Sequence, residues 1–431
     1  MREMKDSGIE WIGKIPKDWY LLRIQYCLTE INVPNSPIKS NQILSLIKDR
    51  GVILYKDKGN QGNKAKANYA DYKLAYPNTL IINSMNILIG SVGISKYFGC
   101  VSPVYYVMKA NNSFDIRFIN YIFNTRGFQK ELRKYANGIL EIRLRVSASD
   151  IFKRLIPVPT KLKQQAIADF LDSKCADIDS LTEDIQKQIE TLKEYKKSVI
   201  TQAVTKGLDP NVEMKDSGIK WIGKIPLDVT VSRIKFNAEI VLGKMIQPTK
   251  ERSNETYENY MCAANLKWNG IDSSIQKKMW FSKDEKELYL LKSGDILVTE
   301  GGSIGVSTVY NNELYPCYFQ NSVMRLRTYK KDDISVFLYY WMYFITHCGY
   351  VESVCNKATI LHYPKVKLAN TPILVFQNEK KKEIVDFLDS KCADIDAAIE
   401  DKQKQMDVLK EYKKSLIYEY VTGKKEVPCC E

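Results

Sequence analysis

FLDSKCADIDSLTEDIQKQIETLKEYKK, at residues 170–197, returns with few changes as FLDSKCADIDAAIEDKQKQMDVLKEYKK at residues 387–414. A second phrase opens each copy, MKDSGIEWIGKIP at residues 4–16 and MKDSGIKWIGKIP at residues 214–226. The first phrase recurs after 217 residues and the second after 210. The sequence therefore predicts two tandem copies of one unit, each a globular segment followed by a long helix.

Apolar residues recur at intervals of seven through both helical phrases, which is the spacing of a coiled-coil seam. Roughly forty residues of helix rise about 60 Å, and such a helix cannot leave its apolar stripe in water. We therefore expect the two helices to pair antiparallel, with an approximate twofold relation between the repeats. The predicted seam residues are Leu171, Ile178, Ile185, Leu192 and Val199 in the first helix and Leu388, Ile395, Lys402, Leu409 and Leu416 in the second.

Lys402 stands where the first helix has Ile185. A polar residue at one seam position can fix the register or the choice of partner, at some cost in stability. Alternatively, its ammonium extends past the seam into water. Either way, the two helices are not interchangeable.

Strand-like apolar runs alternate with turn-rich stretches ahead of each helix, which indicates a mixed α/β or α+β domain. The predicted fold is thus two globular domains separated by two long helices that form an antiparallel coiled coil. The predicted boundaries are 1–160 for the first domain, 161–208 for the first helix, 209–378 for the second domain, 379–424 for the second helix and 425–431 for a tail.

The net charge of the chain is +13, and it is unevenly distributed. The helical segments 164–206 and 380–421 carry net charges of −2 and −1, which leaves +16 on the remainder. A basic surface on two repeated domains suits a polyanion, with nucleic acid the first candidate, although many basic proteins bind none. No long apolar run or signal-peptide core occurs, so we expect a cytoplasmic protein without a membrane partner.

Three polar stretches are candidates for DNA contact: KDKGNQGNKAKAN at residues 56–68, GKMIQPTKERSN at 243–254 and NLKWNG at 265–270. Lysine can contact phosphate, and amides can pair with adenine edges, but a solvated surface loop has the same composition. Trp268 could stack on DNA or be an ordinary half-buried tryptophan. The candidate contacts are Lys56, Lys58, Asn60, Gln61, Asn63, Lys64, Lys66, Lys244, Gln247, Lys250, Arg252, Lys267 and Asn269.

The sequence carries no pattern that predicts catalysis or a metal site. The ten cysteines lack zinc-site spacing, and only His347 and His362 could assist them. Walker A, methyl-donor and amino-methyltransferase motifs are missing. The glycine pairs in ILIGSVGIS and in LVTEGGSIGVS fit tight turns that need positive φ better than a phosphate loop.

The repeated WIGKIP phrase, the IPVPTKLKQQAIADFLD run into a long helix and the KKSVITQAVTKGL exit resemble the specificity subunit of type I restriction–modification systems. The resemblance implies two target-recognition domains, each reading one half of a bipartite, asymmetric double-stranded DNA site. It also implies that the helices set the spacing and dock two copies of a methyltransferase subunit, joined by a restriction and translocation subunit. S-adenosylmethionine, ATP and Mg²⁺ would then serve the partners, with no cofactor in this chain.

One stretch departs from the family pattern. PILVFQNEKK at residues 372–381 replaces LIPVPTKLKQ at residues 155–164, without the paired prolines and the Gln-Gln. This difference leaves open whether the second helix begins with the same geometry.

Two other functions stay open from the residues alone. The first is a non-catalytic coiled-coil scaffold whose basic domains bind proteins. The second is a stand-alone nuclease or methyltransferase with divergent motifs.

Overall fold

The computed structural model describes residues 2–48, 50–59, 65, 68–138, 144–330, 334–355 and 361–428. The chain divides into two compact units. Unit 1 comprises residues 1–186 and 403–431, and unit 2 comprises residues 187–402. Each unit thus contains one globular segment together with parts of both long helices.

Unit 1 is built on a four-stranded antiparallel sheet surrounded by two-stranded pairs. Its strands are β1 (Met4–Asp6), β2 (Lys14–Pro16), β3 (Tyr20–Arg23), β4 (Leu28–Glu30), β5 (Leu44–Ile47), β6 (Gly51–Leu54), β7 (Lys73–Ala75), β8 (Leu80–Asn83), β9 (Val92–Ile94), β10 (Gly99–Val101), β11 (Tyr105–Ala110) and β12 (Leu155–Val158). The central sheet has the order β4-β11-β8-β9. The pairs are β1-β2, β3-β12, β5-β6 and β7-β10.

Helices cover this sheet. They are α1 (Ile24–Cys27), α2 (Ile116–Phe123), α3 (Arg126–Arg133), α4 (Ala148–Phe152) and α5 (Lys161–Lys206), the last of which continues into unit 2. The side chains of Asp115, Thr125 and Ser147 accept backbone N–H hydrogen bonds at the starts of α2, α3 and α4. The core includes Trp19 and Phe118, which are both fully buried.

Unit 2 repeats this architecture with different strand lengths and with one three-stranded sheet. Its strands are β13 (Met214–Asp216), β14 (Lys224–Pro226), β15 (Thr230–Arg233), β16 (Ala238–Leu242), β17 (Thr256–Met261), β18 (Leu266–Lys267), β19 (Gly270–Ile271), β20 (Lys277–Phe281), β21 (Ile296–Thr299), β22 (Ser307–Val309), β23 (Tyr318–Phe319), β24 (Val323–Thr328) and β25 (Pro372–Val375). Its helices are α6 (Lys283–Tyr289), α7 (Ser335–His347), α8 (Tyr350–Val354), α9 (Lys365–Asn370) and α10 (Asn378–Val421), which continues into unit 1.

The two central sheets have the same topology. The order β16-β24-β21-β22 in unit 2 matches β4-β11-β8-β9 in unit 1, strand for strand in chain order, and both sheets are antiparallel. The pairs β13-β14 and β15-β25 likewise correspond to β1-β2 and β3-β12. The three-stranded sheet β20-β17-β23 belongs to unit 2. The predicted mixed α/β fold with an internal repeat is confirmed.

The long helices begin at equivalent positions despite their different lead-in sequences. Helix α5 starts three residues after β12 ends, and α10 starts three residues after β25 ends. Gln164 is buried in the first turn of α5; its amide donates to Pro159 O at 2.9 Å and its oxygen accepts the N–H of Asp115 at 2.9 Å. Lys381 occupies the equivalent place in α10 and is also buried. The altered phrase at residues 372–381 therefore leaves the start of the helix unchanged.

The predicted antiparallel pairing of the two helices is confirmed. In unit 1, Lys413 Nζ lies 2.6 Å from Asp179 Oδ1, and in unit 2, Lys196 Nζ lies 2.6 Å from Asp396 Oδ2. Asp179 and Asp396 are 217 residues apart, as are Lys196 and Lys413, so the two ion pairs are the same contact in the two repeats.

Burial along the predicted seam is uneven. Five of its residues are buried, namely Leu171, Ile178, Leu388, Ile395 and Leu416. The other five are partly buried, namely Ile185, Leu192, Val199, Lys402 and Leu409. Four residues further along each helix from Ile185 and Lys402, Ile189 and Met406 are buried. A second row of contacts thus accompanies the predicted one, as expected for two positions per heptad.

Candidate nucleic-acid interface

The lysine-rich segment of unit 1 begins as a short 3-10 helix at Tyr55–Lys58. Lys56 is exposed, whereas Lys58 is buried with its ammonium 4.3 Å from the centre of the Tyr55 ring. The Tyr55 hydroxyl accepts the N–H of Ala65 at 2.8 Å. The remaining predicted contacts lie outside the described residues: Asn60, Gln61, Asn63, Lys64 and Lys66.

In unit 2, a polar loop between β16 and β17 is organised around the Glu255 carboxylate. Gln247 Nε2 and the backbone N–H groups of Glu251 and Arg252 donate to Glu255 Oε2 at 2.8–3.1 Å. Burial opposes the charge of Glu255, but these three hydrogen bonds outweigh burial and lower its pKa. These hydrogen bonds hold the loop from its inner side.

Lys250 and Arg252 are the exposed cations of this loop. Lys250 Nζ lies 5.3 Å from the centre of the Trp280 ring, and the Trp280 ring packs at a tilt against Tyr257, with 5.1 Å between the ring centres. A cation held beside aromatic rings is suited to a phosphate or a base.

Lys244 differs from these residues because it is buried. Its ammonium donates to Glu285 Oε2 at 2.6 Å and to Trp280 O at 2.7 Å, and it lies 5.1 Å from the Phe281 ring. Removing either partner of such a buried ion pair would leave an uncompensated charge in the interior. The Lys244 ammonium is thus occupied within the protein.

The β18-β19 hairpin carries Lys267 and Asn269, both exposed, on either side of Trp268. The Trp268 ring packs edge-on against Tyr343 at 5.0 Å, and Tyr339 Oη donates to Trp268 O at 2.6 Å. The tryptophan is half-buried and anchors the hairpin. The two polar side chains are thereby held on a fixed base.

The glycines of the strand-connecting turns serve the backbone. Gly90, Gly302 and Gly305 have φ values of 86°, 77° and 73°, which favour glycine. Gly93 has no such φ, but a Cβ there would come within 2.9 Å of the Gly51 Cα. The interpretation as tight turns thus describes three of these glycines, and Gly93 allows close approach of two strands.

In each unit, one tyrosine–aspartate contact joins the globular segment to a long helix. Tyr121 Oη donates to Asp172 at 2.6 Å in unit 1, and Tyr340 Oη donates to Asp389 at 2.5 Å in unit 2. Burial, reinforced by the hydrogen bond to the carboxylate, raises the pKa of both tyrosines. In unit 1, Arg117 also donates to Asp172, at 3.0 Å.

Sequence reasoning missed these contacts because the tyrosines lie in segments with little mutual similarity. Their acceptors, however, are both the first aspartate of the repeated FLDSKCADID phrase, and Cys175 and Cys392 of the same phrase are buried. Burial raises the pKa of the Cys392 thiol to about 11. Because this polar phrase is repeated without change, the sequence did contain a signal that both copies make the same contacts.

Two further properties of the described residues bear on function. Among the residues that the structure describes, no group of three or more His, Cys, Asp or Glu side chains is placed to hold a metal ion. No helix in the described part of the chain is long and apolar enough to cross a membrane.

Comparison with known proteins agrees with this architecture. Residues 226–406 match the family described as "Type I restriction modification DNA specificity domain". The MjaVIII type I restriction enzyme specificity subunit of Methanocaldococcus jannaschii is 27% identical over 288 residues. That match covers 64% of this chain and 63% of the relative, so it spans less than two thirds of the relative's length.

Two solved structures share the fold over nearly the whole chain. A chain from a study of complex assembly and conformational transition of the type I R-M system superposes with a TM-score of 0.71 and 14% identity, covering 94% of this chain and 98% of its own. The HsdS subunit of Thermoanaerobacter tengcongensis superposes with a TM-score of 0.51 and 14% identity, covering 97% and 100%.

The repeated frame, the unlike polar surfaces and the paired helices define a protein with two similar globular segments in tandem. With the match of residues 226–406 to the family model and the match to a curated specificity subunit, the chain resembles the specificity subunits of type I restriction–modification systems. The resemblance predicted from the repeated phrases is confirmed.

Proposed function

We propose that this chain is the DNA-recognising subunit of a type I restriction–modification complex and that each globular segment reads one half of a bipartite, asymmetric site. The observation that carries this proposal is the central sheet, which has the same strand order in both units while the exposed polar loops around it differ. One frame that carries two different surfaces suits two unlike half-sites.

The candidate contacts fit this role to different degrees. Lys56, Lys250, Arg252, Lys267 and Asn269 are exposed and can reach phosphate or base edges. Gln247 is partly buried and bonded to Glu255, while Lys58 and Lys244 are buried. These three residues are therefore less suited to direct DNA contact than the exposed ones. The excess of +16 outside the helices supplies the long-range attraction.

The helices would set the half-site spacing and dock two methyltransferase subunits, with a restriction and translocation subunit completing the complex. Adenine methylation and ATP-dependent cleavage would belong to those partners, which would use S-adenosylmethionine, ATP and Mg²⁺. This chain would contribute specificity without catalysis, and the assembled complex would work in the cytoplasm.

The proposal is tested by binding and footprinting with the full chain, assembled with the modification subunits of its own system. We expect two protected half-sites separated by an unprotected spacer, and an affinity that falls steeply with salt as counterions are released. A single continuous protected core would contradict two readers. Retention on DNA that does not change with salt would favour a protein-binding scaffold instead.

A further inference from the structure

The hairpin β8-β9 in unit 1 and the hairpin β21-β22 in unit 2 each accept a backbone hydrogen bond from a distant chain segment. In unit 1, Val146 N–H donates to Ser84 O at 3.1 Å, one residue after β8. In unit 2, Tyr363 N–H donates to Glu300 O at 2.8 Å, one residue after β21. Val146 and Tyr363 are 217 residues apart, the same offset as the long helices. The two turns are therefore structural counterparts.

Each segment is anchored just beyond the turn. Tyr106 Oη donates to Val146 O at 3.2 Å, and Val146 is fully buried. Tyr363 is fully buried as well, and its hydroxyl hydrogen-bonds Thr371 Oγ1 at 2.6 Å. These contacts hold the residue that precedes Val146 or Tyr363 at the end of the central sheet.

In unit 1, that preceding residue is Arg145, which is exposed. Its backbone N–H and C=O both bond to Asn137, at 2.9 and 2.8 Å. Its guanidinium donates to Met85 Sδ at 3.6 Å, which is a weak acceptor, and forms no ion pair within the described residues. The site thus presents a positioned cation with most of its donors still available.

In unit 2, the same place is taken by His362, also exposed, whose ring lies against the backbone of Gly301. A Cβ on Gly301 would come within 3.3 Å of His362 Nδ1, so glycine leaves room for the ring. Next to it, the Glu300 carboxylate is half-buried and has no hydrogen bond or ion pair in the part of the chain that the structure describes. Burial raises the pKa of Glu300, and the neighbouring imidazole partly offsets that effect.

A half-buried acceptor without a partner and a positioned guanidinium are complementary to different base edges. Arginine pairs bidentately with the O6 and N7 acceptors of guanine, whereas a carboxylate accepts from the amino group of cytosine. Leaving the carboxylate unpaired costs free energy, which a base amino group would recover.

We propose that this turn is a base-contact point in both units and that it reads different bases: a guanine through Arg145 in unit 1, and a cytosine amino group through Glu300, flanked by His362, in unit 2. The proposal rests on the proposed function and names residues that carry it. Equivalent turns of the two units thereby contribute to the asymmetry of the site.

The unit 1 test uses the full chain assembled with its modification subunits and selects binding sites from a pool of random duplexes at fixed salt. Arg145→Ala is expected to lose roughly tenfold or more of the preference for guanine at one position of one half-site. Arg145→Gln is expected to shift that position toward adenine, because glutamine pairs with adenine N6 and N7. Lys109→Ala is the control: it removes an exposed cation at the other end of β11 and should leave base preference unchanged.

The unit 2 test follows the same design. Glu300→Gln, which preserves shape, is expected to lower cytosine preference roughly tenfold at one position of the other half-site and to raise adenine there. His362→Ala should weaken the same preference less. Glu287→Gln changes an exposed carboxylate on α6 and serves as the matched control.

The possible outcomes distinguish a failure of this inference from a failure of the proposed function. A wild-type complex that selects a bipartite sequence while Arg145 and Glu300 variants select the same sequence overturns this inference alone. A wild-type complex that enriches no sequence overturns the proposed function. Circular dichroism and thermal melting check folding, and should Glu300→Gln not fold, Glu300→Asp, with its shorter reach, is expected to reduce the same preference.

Discussion

Units 1 and 2 share their frame and differ in the surface that the frame carries. Both have the same four-stranded sheet order, a tyrosine bonded to the same aspartate of the repeated phrase, and the same lysine–aspartate pair between helices. They differ in their polar loops, in the three-stranded sheet β20-β17-β23 of unit 2 and in the residue beside the turn that follows β8 or β21. Contacts that hold a domain on its helices are thus common to both units, while contacts that face outward are specific to each.

The largest expected effect breaks the frame in one unit only. Trp341 is fully buried on α7 and its Nε1 donates to Pro372 O at 2.9 Å. Trp341→Ala should destabilise unit 2 by about 3–5 kcal/mol, because it opens a cavity and orphans a carbonyl. Ile122→Val, at the equivalent buried position of α2, should cost about 1 kcal/mol in unit 1. Urea denaturation followed by unit-specific probes measures both, and equal costs would contradict this account.

A smaller effect sharpens the comparison at the tyrosine–aspartate contacts. Tyr340→Phe should cost about 1.5–3 kcal/mol, the usual range for a hydrogen bond to a charged group. Tyr121→Phe should cost less, because Asp172 also accepts from Arg117. Thermal denaturation of the two variants gives the order, and Arg117→Ala combined with Tyr121→Phe should remove the difference. The reverse order would show that Arg117 does not compensate.

The two equivalent ion pairs test whether the helices contribute equally to both units. Lys196→Ala and Lys413→Ala should each cost about 0.5 kcal/mol, since the pairs are partly exposed. The effect should be larger for Lys196, whose side chain is 16% exposed against 29% for Lys413. Double-mutant cycles with Asp396→Asn and Asp179→Asn isolate each pair, and coupling should weaken in high salt. Salt-independent coupling would rule out an electrostatic origin.

The smallest effect concerns Asp18 and Asp228, which pair with Lys163 and Lys380 near the starts of the two long helices. The hydrogen bond from Lys163, opposed by burial and aided by Arg2, lowers the pKa of Asp18 to about 2. The hydrogen bond from Lys380 also lowers the pKa of Asp228.

Because both pKa values are depressed, the stabilisation is present above the unfolded value of about 4 and is lost as pH falls toward the folded value. Asp18, with two cationic partners, should titrate below Asp228 in an NMR pH series. Asp18→Asn should leave stability at pH 2 almost unchanged while lowering it slightly at neutral pH. A common midpoint for the two aspartates would show that Arg2 contributes nothing.

Local patterns in the sequence predicted the repeat, the long helices and the mixed domains because these depend on residues close together in the chain. The burial of Lys244 could not be predicted in this way. Its partner Glu285 is 41 residues away, and a lysine in a polar loop has the same local sequence whether it faces water or a carboxylate. A large separation in sequence also prevented prediction of the proposed base-contact point, where Arg145 and Met85 are 60 residues apart.

The sequence predicted one of the two rows of residues that form the helix seam. Intervals of seven from Leu171 find the residues that repeat most regularly, whereas the second row mixes Ile189 with Lys196, which is half-buried and ion-paired. A stripe that contains lysine does not stand out by hydrophobicity. The equivalent start of α10 was also beyond local reasoning, because β25 fixes it through its pairing with β15.

Unit 1 is discontinuous in the chain, and this decides when it can fold. Leu416, Ile417, Tyr420 and Val421, near the end of α10, lie in the same core cluster as Trp19 and Phe118 near the beginning of the chain. Unit 2, by contrast, is one continuous stretch, residues 187–402. During synthesis, the core around Trp19 and Phe118 therefore cannot close until residues 416–421 have been made. Removing residues 416–421 would damage the core of unit 1, although most of that unit lies more than two hundred residues earlier in the chain.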